Sequence, residues 1–245
     1  MNKFTLIAGP CVIEDEMTTM KIAEELVLIT NKYEIPFIFK ASYRKANRTK
    51  GDSFKGIGDL KALQVLADIK AEYEVEVLTD IHECQEAPVA ASYVDILQIP
   101  AFLCKQTDLL IAAAKTGRKI NIKKGQFASW KDMYFAVEKI RDAGNDNIMI
   151  TERGTTFGYD DLVIDFRNII HLQGILRPVI VDITHSLGRD KGNVQMILVM
   201  AKTALAAGAD GLFIETHPCP IAALSDSDRM LPLSYIEPLM KELCR

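Results

Sequence analysis

Short apolar runs rich in Ile, Val, Leu and Phe recur along the chain at residues 4–8, 36–42, 76–81, 96–101, 119–124, 148–154, 178–185 and 211–217. Each is too short for a helix of ordinary length and reads as a buried strand. Between them lie longer stretches whose apolar residues recur at helical spacing, at 17–33, 60–73, 109–115, 130–143 and 194–207, and another spans 231–243. Eight strands alternating with about eight helices predict a (β/α)8 TIM barrel formed by residues 1–245 as a single domain. An open doubly wound sheet is the second reading. It lacks a GxGxxG turn after the first strand and would need an unusually large sheet.

Composition adds bounds to this picture. A chain of 245 residues with 49% hydrophobic and 25% charged residues can bury one large core. Its formal net charge of −4 argues against a general nucleic-acid binder. The first residues lead directly into a strand-like run, with neither a signal-type core nor an apolar stretch of membrane-spanning length, so a cytoplasmic protein with no membrane partner is expected. The five cysteines, at 11, 84, 104, 219 and 244, form no CxxC pair, and their odd number argues against a disulfide framework. Cys84, Cys104 and Cys244 read as small, partly buried apolar residues.

One stretch departs from the mild acidity of the rest. Residues 40–49, KASYRKANRT, set four cations among Ser42, Asn47 and Thr49 directly behind the second strand. Arg forks, Lys point charges and short neutral donors suit a small polyanion. In a barrel such groups gather at the C-terminal ends of strands. Cys11 and Glu14 follow the first strand, Asp80 and His82 end the third, and Gln98 and Lys105 surround the fourth. Lys123, Lys124 and Gln126 follow the fifth, Glu152 and Arg153 the sixth, Asp182, Thr184 and His185 the seventh, and Glu215, His217 and Asp226 the eighth.

Two groups separate by ligand chemistry. Cys11, His185, Glu215 and Asp226 offer one thiolate, one imidazole and two carboxylates from strands one, seven and eight, which adjoin where the barrel closes. They fit a divalent metal, with Zn²⁺ or Fe²⁺ favoured by sulfur and imidazole and Mn²⁺ or Co²⁺ admitted by the carboxylates. A buried thiol hydrogen-bonded to a histidine is the other reading of the same residues. Lys40, Lys45, Lys123 and Arg153 converge from strands two, five and six and suit an anion. His82 and His217 either orient neighbouring groups or satisfy the backbone.

These residues sit in motifs that, in order and nearly end to end, resemble the 3-deoxy-D-manno-octulosonate 8-phosphate synthase family: IAGPCVIE at 7–14, KASYRKANRT at 40–49, TDIH at 79–82, LQIPAFLCKQTD at 97–108, IKKGQF at 122–127, TERGTTFGY at 151–159, DITH at 182–185 and FIETHP at 213–218. The resemblance implies condensation of phosphoenolpyruvate with D-arabinose 5-phosphate and water, a step of lipopolysaccharide sugar synthesis, in a cytoplasmic homotetramer. It implies a metal on Cys11, His185, Glu215 and Asp226. Cys11 implies the metal-dependent class, since members with Asn there work without metal. It implies phosphoenolpyruvate on Lys40, Ser42, Lys45, Lys123 and Arg153, and the pentose phosphate on Asn47, Arg48 and Thr49, with Asp80 near its hydroxyls. Gln98 and Lys105 complete the implied substrate set, and Lys45, Asp80, His185 and Asp226 the implied catalytic set, with Lys45 as proton donor.

Two departures stand out. Family members carry a long Gly-rich loop after the residue matching His185, whereas here only residues 186–193 precede the seventh helix, so a shortened lid is expected. Lys105 stands where many members have Arg, which keeps charge and loses the fork for a phosphate shared with a neighbouring subunit. A heptulosonate phosphate synthase acting on erythrose 4-phosphate, which the KANRT loop disfavours, and a non-catalytic phosphosugar-binding barrel are the alternatives.

Overall fold

The computed structural model describes residues 4–48, 50–159 and 161–245. Eight parallel strands close into a barrel: β1 (Thr5–Gly9), β2 (Phe37–Lys40), β3 (Glu76–Asp80), β4 (Ile96–Ile99), β5 (Lys119–Lys123), β6 (Ile148–Glu152), β7 (Val179–Asp182) and β8 (Gly211–His217). Each pairs with its successor, and β8 returns to β1 in register from Thr5↔Gly211 to Gly9↔Glu215. The helices on the outside are α1 (Glu16–Lys32), α2 (Asp59–Tyr73), α3 (Glu86–Ala91), α4 (Thr107–Ala114), α5 (Trp130–Asp142), α6 (Arg167–Gln173), α7 (Val194–Ala206) and α8 (Ile236–Leu243).

The twofold period of the strands sorts side chains into layers. Ile7, Ile38, Leu78, Ile96, Met149, Ile180 and Phe213 point inward and form an apolar plug. Residues of opposite parity, such as Leu6, Phe39, Val77, Leu97, Ile150, Val181 and Leu212, join the larger core beneath the helices. Two positions beyond six of the seven plug residues, toward the C-terminal rim, the same parity brings Lys40, Asp80, Gln98, Thr151, Asp182 and Glu215 into the barrel. All six are buried. The plug therefore acts as a dry floor under a layer of polar and charged groups.

Local signals explain the helix starts. Asp15 accepts from Thr18 N at 2.7 Å, Ser129 and Asp132 form a capping box, and Asn193 accepts from the first backbone amides of α7. The six residues of α3 and seven of α6 are too few to display a periodic stripe, and no spacing announced them. The stretch expected as helix from 231 begins as a short strand, Leu231–Pro232, beside the end of β8; α8 starts only at Ile236. Pro232 has no N–H to give a helix and sits extended. The fourth strand likewise stops at Ile99 and passes into a 3₁₀ turn, Ala101–Leu103.

Candidate active site

At the C-terminal rim, above the plug, a cavity of about 820 Å³ opens. Lys40, Lys45, Asp80, Gln98, Lys123, Arg153, His185, Glu215 and Asp226 line it. Asn47 and Arg48 of the β2–α2 loop do so as well.

At the seam between β8 and β1 stands the donor group. One donor atom each from Cys11, Glu215 and Asp226 lies within 4.8 Å of the others. Cys11 Sγ is 3.0 Å from Asp226 Oδ2. His185 Nε2 lies 3.4 Å from Glu215 Oε2 and 3.9 Å from Asp226 Oδ2. Its Nδ1 is 2.8 Å from Asp182 Oδ2, and Asp182 also accepts from the backbone N–H groups of Thr184 and His185. An Nδ1–H donated to a carboxylate leaves Nε2 as the free ligand atom, which is how metal-bound histidines are oriented.

The electrostatics of this group suit a cation. Burial, supported by the charge of Glu215, pushes the Cys11 thiol far up. Against the pull of burial, Asp182 and Glu215 raise His185 to about 9. Burial likewise opposes the ionised form of Glu215, yet Lys40 and His185 hold it well below the usual carboxylate range. Glu215 Oε2 is buried with no hydrogen-bond partner. A proton-loaded thiol and imidazole beside a buried carboxylate oxygen that no hydrogen bond satisfies are what a divalent ion would reverse by replacing protons with ligand bonds. The residues present fit such an ion.

Lys40 reaches into the same group. Its Nζ lies 2.5 Å from Glu215 Oε1 and 3.1 Å from Cys11 O, so one expected substrate cation is engaged with the donor carboxylate. Lys123 Nζ pairs with Asp182 Oδ2 at 2.7 Å and lies 3.7 Å from the Phe213 ring centroid. Across the floor runs a polar chain. Asp80 accepts from Ser42 Oγ and, at 2.5 Å, from Gln98 Nε2; Gln98 Oε1 accepts from Asn121 Nδ2, and Asn121 Oδ1 from Thr151 Oγ1. Burial opposes the ionised form of Asp80, but Lys40 and Lys45 keep its carboxyl far below the usual range, so it is ionised and offers only hydrogen-bond acceptors. Against the pull of burial, the carboxylates of Glu215, Asp80 and Asp226 hold Lys45 as an ammonium.

The segment after His185 is a 3₁₀ stretch, His185–Asp190, wedged between two neighbours. On one side lies a hairpin, Thr155–Thr156 with Leu162–Val163. Asp161 of that hairpin accepts from Arg189 N, and Arg189 Nη2 donates to Tyr159 O. Gly188 has φ +54°, and a Cβ there would sit 2.2 Å from Asp161 Oδ1, so only glycine permits this close approach. On the other side Lys191 pairs with Asp228. Only three residues separate this stretch from α7 at Val194, and the neighbouring loops pack against it.

Most site residues anticipated from sequence thus meet at one cavity. Ser42 lies below it, bonded to Asp80. Arg48 lines it with its fork turned to the β8–α8 loop: Nη1 donates to Ser225 Oγ at 2.6 Å and Nη2 to Leu224 O at 3.1 Å. Lys105 does not face the cavity; it is exposed on the outer rim with Nζ 2.7 Å from Asp132 Oδ1. Thr49 lies outside the described residues. His82 lines the cavity and bonds Glu86, whereas His217 Nδ1 accepts from Cys219 N and serves the backbone. Lys124 points away from the cavity into an ion pair with Glu152. Cys104 is buried and Cys84 half-buried, but Cys244 is exposed, because it follows the last turn of α8. Arg189, Lys191 and Arg229 line the cavity unannounced by any motif. The roles of Ser225 and Asp182 were also missed, although an Asp three residues before His185 was a readable signal.

Comparison with known proteins agrees over nearly the whole chain. The model of the DAHP synthetase I family matches residues 1–244. A 2-dehydro-3-deoxyphosphooctonate aldolase of Koribacter versatilis is 47% identical over 253 residues, covering 99% of this chain and 91% of that protein. The protein of that name from Pisum sativum is 46% identical over 254 residues (99% and 88%), and that from Desulfosudis oleivorans 50% over 246 residues (97% and 88%).

Proposed function

The chain belongs to the DAHP synthetase I family, and we propose that its reaction is the condensation of phosphoenolpyruvate with D-arabinose 5-phosphate and water to 3-deoxy-D-manno-octulosonate 8-phosphate and inorganic phosphate. It is a carbon–carbon bond-forming enzyme of the kind that the names of its relatives describe. The observation that carries this reading is the coexistence, in one cavity, of Lys123 and Arg153 with His185, Glu215 and Asp226. The first pair suits a phosphate and the second group an activated oxygen.

Arg153 is half-buried, its Nε has no hydrogen-bond partner among the described residues, and burial, opposed by Asp182 and reinforced by Arg229, lowers its affinity for its own proton. An anion relieves all of this. With Lys123 it would hold the enolpyruvate phosphate and stabilise it as a leaving group. C3 of the enol then attacks the aldehyde carbon, water adds at C2, and phosphate departs. The aldehyde oxygen must gain a proton as the new bond forms. Lys45 Nζ, kept protonated by surrounding acids and lining the cavity, would give it. Ionised Asp80 accepts from pentose hydroxyls and, being unable to donate, orients them without competing as an acid. Cys11, His185, Glu215 and Asp226 would hold a divalent ion, whose chemistry when bound is to orient and polarise the aldehyde or the water.

We further propose one catalytic domain over residues 1–245, a cytoplasmic homotetramer, and Zn²⁺, Fe²⁺, Mn²⁺ or Co²⁺ as the ion. Among the described residues no helix is long and apolar enough to cross a membrane. The test is phosphate release from phosphoenolpyruvate in the presence of either D-arabinose 5-phosphate or erythrose 4-phosphate, before and after chelation and metal return. Turnover should depend on the pentose phosphate, vanish on chelation and return to different degrees with each ion. Preference for erythrose 4-phosphate would overturn the substrate assignment. Full activity in protein shown by elemental analysis to be metal-free would overturn the ion.

A further inference from the structure

Residues 224–226 carry Asp226 into the donor group, and two distant groups fix their position. Leu224 N donates to Glu14 Oε1 at 2.7 Å. From the β2–α2 loop, Arg48 donates to Ser225 Oγ at 2.6 Å and to Leu224 O at 3.1 Å. Ser225 is 2% exposed, and its Oγ is also 3.1 Å from Cys11 Sγ. One hydroxyl thus touches both the guanidinium and the sulfur.

The direction of this relay follows from hydrogen-bond inventory. A guanidinium can only donate, so Ser225 Oγ must accept from Arg48. Its single proton is left free for the other neighbour. Sulfur that ligates a metal is a thiolate and can only accept. We propose that Arg48 and Ser225 are positioning residues of the donor group: Arg48 fixes Ser225 and polarises its hydroxyl, and that hydroxyl donates to the Cys11 thiolate. The guanidinium expected to meet the sugar phosphate is thereby also a structural member of the metal pocket. Its Nε, buried and without a hydrogen-bond partner among the described residues, would be the edge left for an anion. The two ligands would share one side chain, and their affinities would be linked reciprocally.

This inference rests on the metal reading above, and the experiment separates the two. Metal-stripped protein is titrated with Co²⁺, following the thiolate-to-cobalt charge-transfer absorption, for wild type, Cys11→Ala, Ser225→Ala, Arg48→Ala, Arg48→Lys and the Arg48→Ala/Ser225→Ala pair. Loss of a group that supports a ligand costs roughly tenfold or more in metal affinity. Ser225→Ala and Arg48→Ala should each weaken Co²⁺ binding by about tenfold, Arg48→Lys less, and the double variant little more than Arg48→Ala alone. In Ser225→Ala the absorption should also move to lower energy, because a thiolate freed of a donor gives up its electrons more readily; a general loosening of the fold would not do this. Affinities within twofold of wild type together with an unmoved band in Ser225→Ala would overturn the positioning role while leaving the metal site intact. Absence of the band in wild type, or equally tight binding by Cys11→Ala, would overturn the metal site itself and this inference with it.

Discussion

Lys123 and Lys124 are adjacent in sequence and opposite in parity, and Lys124→Met tests what that opposition means. Lys124 and Glu152 are both fully buried, Nζ 3.2 Å from Oε1. The ammonium also donates to the carbonyls of Gly125, Ala128 and Gly154 at 3.1 to 3.2 Å and lies 3.3 Å from Thr155 Oγ1. It ties the β5 and β6 loops together from behind the cavity. Methionine matches the length and apolar stem, so the packing change is small. Removing one partner of a buried ion pair strands the other charge, at about 3–5 kcal/mol. At least one carbonyl left without a donor adds about 1 kcal/mol. The expected loss is therefore about 4–6 kcal/mol, or roughly 10–20 °C in Tm for a chain of this size. Urea unfolding followed by far-ultraviolet circular dichroism measures it. The Lys124→Met/Glu152→Gln double variant should recover most of the charge part, because the amide keeps an acceptor for Gly154 N without the stranded charge. If Lys124→Met lies within about 1 kcal/mol of wild type, or the double variant is no better than the single, the account of Lys124 as a buried ionic post is refuted.

Two further outcomes are expected. Glu86 accepts from Tyr43 Oη at 2.5 Å, from His82 N and from Arg44, and against burial these contacts, those from His82 foremost, hold its carboxyl down at about 2 from an ordinary 4.5. A depressed carboxyl stabilises the fold above its ordinary pKa and loses that contribution as pH falls through the folded value; 2.5 pH units correspond to about 3 kcal/mol. Glu86→Gln should cost about this at neutral pH, with the gap to wild type closing from about pH 4.5 downward, and a constant gap across an acid titration of urea midpoints would contradict it. The stub after His185 depends on Gly188 meeting Asp161 closely. Gly188→Ala should push the hairpin away, admit water and release more phosphate than sugar acid is formed; strict one-to-one stoichiometry would show that closure does not rest on this contact.

How far the sequence could be read follows from the range over which each feature is determined. Strand alternation is a local property, and it was enough to place a barrel and gather Lys40, Asp80, Gln98, Lys123, His185 and Glu215 at one rim. Features made by contacts between distant loops were not readable. Arg48 looks like a free phosphate ligand until residues 224 and 225, some 176 positions away, occupy its fork. Lys105 and Lys124 resembled site cations because charge and position after a strand say nothing of where the side chain turns. The hairpin of residues 155–163 and the late start of α8 are likewise set by what they pack against, in one case the stub after His185, in the other the end of β8.

The seam that joins β8 to β1 has a consequence for the order of events during synthesis. Cys11 precedes Glu215 and Asp226 by some two hundred residues and leaves the ribosome that much earlier. Until β8 has been made and laid against β1, the thiol lacks the carboxylates that stand beside it in the fold. On the metal reading proposed above, the complete donor set would exist only in the closed barrel. The choice of metal would then fall to a rigid, folded pocket, where ligand geometry can discriminate, rather than to a flexible chain that would take whichever ion binds thiols most avidly.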